Sequence, residues 1–113
     1  MIVFVNTSIT TINLIKKNPH FDFEYIFFNE KNKNNILENN QNLVVIFEEK
    51  YLRINNLLNL KKSKKQIYFI GIFEKENIDL IKKLINLELL NYIFNFFPST
   101  STTLLSFLFI RCT

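Results

Sequence analysis

A chain with one histidine and one cysteine has little from which to build a hydrolase, a thiol enzyme or a zinc centre. His20 follows Pro19 and has no serine, cysteine or aspartate pattern of a catalytic group around it, so it reads as an exposed loop residue. Cys112 stands alone near the end of the sequence, cannot close an internal disulfide, and reads as an incidental thiol in a reducing compartment. Gly71 is the sole glycine, which excludes dinucleotide and P-loop fingerprints because both need several. Two groups of reactive type remain. Glu48 and Glu49 end an apolar run, where a carboxylate pair could hold a metal ion or mimic a phosphate, although neighbouring glutamates at a strand end are ordinarily solvated surface. The cluster "KKSKK", with Lys61, Lys62, Lys64 and Lys65, precedes Tyr68 and Phe69. Basic residues beside aromatics can bind single-stranded nucleic acid, but these aromatics belong to a strand built for burial, and the cluster reads as a solvated helix end.

Composition narrows the partners. The 113 residues make one domain, 1–113, able to bury roughly two thirds of its unfolded surface. A hydrophobic fraction of 48% with 13 phenylalanines supplies the core and argues against disorder. Of the 14 basic residues behind the net charge of +4, 12 are lysine, and lysine, asparagine, isoleucine and phenylalanine rise together as they do in AT-rich genomes. The charge is therefore discounted as a sign of a polyanion partner, and nucleic acid is not expected. No secretory signal opens the chain, since "MIVFV" has neither a basic n-region nor a small-residue cleavage site. Between Glu88 and Arg111 there is no charge, but Pro98 and the hydroxyls of Ser99 to Thr103 interrupt the segment, so a strand, a turn and a helix fit better than a membrane span. The expected compartment is the cytoplasm, or the stroma of an AT-rich organelle.

The elements alternate. "IVFV" (Ile2 to Val5), "FEYIFF" (Phe23 to Phe28), "LVVIF" (Leu43 to Phe47), "QIYFIGIF" (Gln66 to Phe73) and "NYIFNFF" (Asn91 to Phe97) are strand-length and rich in aromatic and β-branched residues. Several are apolar at consecutive positions, as strands covered on both faces must be. Between them, "EKENIDLIKKLIN" sets Ile78, Ile81 and Ile85 on one helical face with Lys82 and Lys83 turned away. "YLRINNLLNLKK" repeats the pattern with Ile54, Leu57 and Leu58, "SITTINLIKKN" is a weaker helix stopped by Pro19, and a short helix surrounds Ile36 and Leu37. "LLSFLFI", Leu104 to Ile110, is expected to be a fifth helix. Five β units each followed by a helix predict an α/β, doubly wound, parallel five-stranded sheet.

On those elements the chain resembles, over essentially its whole length, the receiver domain of response regulators, with its flavodoxin-like (βα)5 fold. "IVFVNTS" is similar to the first strand with its acidic pair, "NLVVIF" to the third strand with the phosphorylated aspartate, "QIYFIGI" to the fourth strand with its hydroxyl, and "NYIFNFFPSTSTTLLSFL" to the fifth strand and the lysine-proline step. The resemblance implies that carboxylates on strands 1 and 3 bind Mg²⁺ and that one of them attacks a phosphoryl donor. In this sequence those positions fall on Asn6 and Thr7, on Phe47 or with a one-residue slip Glu48, on Gly71, and on Phe97 or Asn95. All are replaced.

The resulting expectation is a pseudo-receiver: not an enzyme, without cofactor or metal, acting as a signalling or regulatory protein-interaction module. Its partner, or a second copy in a homodimer, would dock on helix 4, strand 5 and helix 5, where Leu104, Leu105, Phe107, Leu108 and Phe109 form an interface. Two alternatives stay open: a small basic nucleic-acid-binding protein, or a receiver still phosphorylated at Glu48.

Overall fold

Runs that are apolar at every position form the centre of one sheet. The computed structural model describes residues 1–19, 21–38, 42–62, 66–75, 77–98 and 105–111. Their order is β1 (Ile2–Val5), α1 (Ile9–Lys16), β2 (Tyr25–Phe27), α2 (Lys33–Glu38), β3 (Leu43–Glu48), a 3-10 turn (Glu49–Tyr51), α3 (Ile54–Lys61), β4 (Ile67–Phe73), α4 (Ile78–Asn86), β5 (Tyr92–Pro98) and β6 (Leu105–Arg111). The strands lie in the order β2-β1-β3-β4-β5-β6. The first five are mutually parallel, and β6 runs antiparallel to β5.

Strand geometry sends successive side chains to opposite faces, and two separate apolar clusters result. On one face Val3, Val5, Val45, Phe47, Phe69 and Phe73 meet Ile36 of α2, Leu57 and Leu60 of α3 and Leu84 of α4. On the other, Phe4, Ile46 and Ile72 pack with Ile12 of α1. The sheet therefore carries helices on both faces, as expected for parallel strands joined by helical crossovers.

Local chemistry sets the helix ends. Ser8 caps α1, its Oγ accepting from the Thr11 amide at 3.2 Å, and Asn77 caps α4 by accepting from the Leu80 amide at 3.2 Å. Past α4 the backbone of Glu88 turns left-handed, with φ 58°, and the Leu89 amide donates back to Leu84 O at 2.8 Å. Lys61 Nζ completes that end by donating to Leu87 O at 2.7 Å and to Glu88 Oε2 at 3.0 Å. Among the described residues no helix is long and apolar enough to cross a membrane.

One element is corrected. The expected fifth helix over 104–110 is instead β6, paired with β5 from Tyr92↔Arg111 to Pro98↔Leu105. The interface expected on helix 4, strand 5 and helix 5 therefore loses its helix: Leu105, Phe107, Leu108 and Phe109 lie on β6, and Leu104 lies outside the described residues. A short, mostly apolar run fits either period, and its aromatic and β-branched content, Phe107, Phe109 and Ile110, favours extended backbone. Pairing along an otherwise open edge of β5 then satisfies a full row of backbone donors and acceptors. The second strand is also shorter than its apolar run, Tyr25–Phe27 instead of Phe23 to Phe28.

Candidate functional site

Ligands of parallel α/β sheets bind outside the carboxyl ends of the strands, where neighbouring crossovers leave toward opposite faces. Here that point lies between β1 and β3, since α1 covers one face and α3 the other. Asn6, Thr7 and Ser8 follow β1, and Glu48 ends β3.

The chain fills this crevice with its own side chains. Asn6 has φ 49°, a conformation asparagine tolerates better than most residues, and its Oδ1 accepts from the Arg53 amide at 3.0 Å and from Asn56 Nδ2 at 3.3 Å. The loop after β1 is thus tied to the start of α3. Thr7 Oγ1 lies 3.0 Å from Val5 O and 3.2 Å from Ile46 O, so its proton is directed into the backbone of the two strands. Glu48 is 6% exposed, and the Ser8 amide donates to its Oε1 at 3.0 Å. An amide at the start of a helix is a natural anion site, and the carboxylate of Glu48 occupies it from within.

Phe47 and Gly71 face away from this crevice. They are partners in the β3–β4 register, and Phe47 is fully buried in the cluster beneath α2, α3 and α4. A Cβ on Gly71 would stand 2.7 Å from Phe73 Cε1, 2.9 Å from Phe47 Cζ and 3.0 Å from Leu90 Cδ1. The chain's glycine makes room for two aromatic rings. At the position where the resemblance places a phosphate-binding hydroxyl, the side chain would point into the core.

Asn95 and Phe97 are in β5, paired with Leu108 and Ser106 across β6, and their side chains lie outside the description. His20, Ser63, Lys64, Lys65 and Cys112 also lie outside the described residues. Of the basic cluster, the Lys61 ammonium is engaged with the end of α4, and the backbone N–H of Lys62 caps α3. Glu49 turns outward to a polar depression shared with Lys50, Glu74, Lys75 and Asp79, where Asn77 Nδ2 donates to its Oε1 at 3.5 Å. Among the described residues, no group of three or more His, Cys, Asp or Glu side chains could hold a metal ion.

Glu48 is marked in the sequence by its place at the end of an apolar run, but Ser8, Arg53 and Asn56, which complete the network, are not. A serine three residues ahead of Thr11 at a helix start was the available signal for Ser8. The contacts of Asn6 with α3 span 47 and 50 residues of chain, and no local pattern announces them. Among known proteins, the chain matches no family model, no curated protein and no solved structure.

Proposed function

We propose that the chain is a non-catalytic pseudo-receiver, a regulatory module of the flavodoxin-like class that works by binding protein. The order of its first five strands, 2-1-3-4-5, is that of flavodoxin-like sheets, with β6 as an added antiparallel edge in place of a final helix. The observation that carries the reading is the closed crevice between β1 and β3. A phosphoryl-transfer site there needs oxygen ligands free to take Mg²⁺ and a carboxylate free to attack. Asn6 and Thr7 are instead committed to backbone and side-chain partners, and Glu48 to the amide of Ser8.

The test is incubation with acetyl phosphate and Mg²⁺ followed by intact-mass measurement. The mass is expected to stay unchanged. Gain of one phosphoryl group, abolished by Glu48→Gln, would show a working receiver and sink the proposal.

Nucleic acid is the weaker reading, because within the basic cluster the ammonium of Lys61 is already held by Leu87 O and Glu88. Binding of a mixed-sequence oligonucleotide is therefore expected to be weak and to disappear near physiological salt, as attraction resting on a few released counterions does. Tight binding that falls on replacing Lys61, Lys62, Lys64 and Lys65 with glutamine would favour the nucleic-acid alternative instead.

A further inference from the structure

The two faces of the sheet are covered unequally. Helices α2, α3 and α4 share one face, whereas among the described helices α1 alone packs on the other. Beside α1 an open groove of about 770 Å³ runs across Val44 and Ile46 of β3, Ile70 and Ile72 of β4 and Phe94 of β5. Neighbouring strands are spaced about 4.8 Å apart, so three of them span roughly 10 Å, the width of one α-helix with its side chains.

Charge indicates what kind of helix fits. Asp22 and Glu24 line the groove, and among the described residues no lysine or arginine does, although the chain as a whole carries +4. The ion pair among the described residues joins Lys61 to Glu88 and leaves both groove carboxylates without a cationic partner there. The ammonium of Met1, which also borders the groove, donates to Asn42 O at 3.3 Å. An apolar floor with an acidic rim is complementary to an apolar stripe with a basic flank.

We propose that this groove receives an amphipathic helix of a partner protein, its apolar stripe seated on β3, β4 and β5 and its lysine or arginine flank facing Asp22 and Glu24. The proposal rests on the reading of the chain as an interaction module and supplies the chemistry of the partner. A helix is preferred to a small apolar ligand because the apolar floor spans three strands, the width of a helix, and carries carboxylates at its rim that an apolar ligand would leave unpaired.

The experiment titrates the full chain into two labelled synthetic peptides of about four helical turns, one built of Leu and Lys, the other of Leu and Glu, and reads fluorescence anisotropy. The Leu/Lys peptide is expected to bind one per chain and about fivefold or more tightly than the Leu/Glu peptide, a ratio within reach of two exposed carboxylates. Asp22→Asn combined with Glu24→Gln should remove most of that preference without altering the fold. Ile70→Gln should weaken both peptides, while Lys82→Gln on α4 should change neither. Equal binding of the two peptides, binding of neither, or a preference that survives the Asp22→Asn/Glu24→Gln variant overturns the proposal. None of these results bears on the mass test with acetyl phosphate, so failure of the groove and failure of the pseudo-receiver reading are separable.

Discussion

Replacing Gly71 with alanine is expected to destabilise the protein by about 2 kcal/mol, even though alanine ordinarily costs less than glycine in regular structure. The added methyl would enter contacts of 2.7 to 3.0 Å with Phe73, Phe47 and Leu90, closer than carbon atoms tolerate. Phe47 and Phe73 are themselves fully buried, so neither ring has solvent to move into. Shortening one ring should relieve part of the clash. Phe47→Leu alone costs about 1–2 kcal/mol as a shape change in a packed core, but combined with Gly71→Ala it should cost less than the sum by at least about 0.5 kcal/mol. Urea denaturation of the two single variants and the double variant measures the coupling. A Gly71→Ala protein as stable as its parent, or strictly additive costs, would mean that the glycine serves some purpose other than ring packing.

That case also shows how far residues speak before their neighbours are known. The strands of the centre were readable because β1, β3 and β4 are apolar at consecutive positions, a pattern that a sheet covered on both sides requires. Helix α4 was readable from Ile78, Ile81 and Ile85 at helical spacing. The strand over Leu105 to Ile110 was not, because a short, mostly apolar stretch fits either period, and its state is decided by the open edge of β5, the strand just before it in the sequence. The candidate site divides similarly. That Asn6, Thr7, Phe47 and Glu48 lie at strand ends, and Gly71 near one, follows from the lengths of the apolar runs. Which of them share a crevice depends on the pleat: Phe47 and Glu48 are adjacent and must face opposite sides, so a slip of one residue exchanges a core ring for a crevice carboxylate.

Closure of the crevice also has an energetic side. An asparagine at φ 49° and a left-handed Glu88 are conformations that glycine would accept at less strain, yet the chain spends its one glycine beneath two phenyl rings. At Asn6 the strain is offset by hydrogen bonds to Arg53 and Asn56, and these same bonds fix the loop that carries Ser8 toward Glu48. The polar groups at the strand ends are thus used to hold the crossovers together.

The strongest test of that account is Glu48 itself. Glu48→Ala is expected to cost about 2–3 kcal/mol, since it removes a charge-assisted hydrogen bond and leaves the part-buried Ser8 amide without its acceptor, whereas Glu48→Gln keeps an oxygen in place and should cost about 1 kcal/mol or less. Ser8 offers the complementary variant. Its φ of −68° is one that proline adopts, so Ser8→Pro removes the donor with little change of backbone, at the added expense of the Oγ cap on Thr11. The lost cap is common to both Ser8→Pro backgrounds and cancels in a double-mutant cycle with Glu48→Ala. The cycle should return a coupling of about 1–2 kcal/mol, measured by urea denaturation with an unchanged m-value. A coupling near zero would instead leave Glu48 uncommitted at the carboxyl end of β3, where with a one-residue slip the resemblance would place the phosphorylated acid, and would favour the alternative of a receiver that still accepts phosphate.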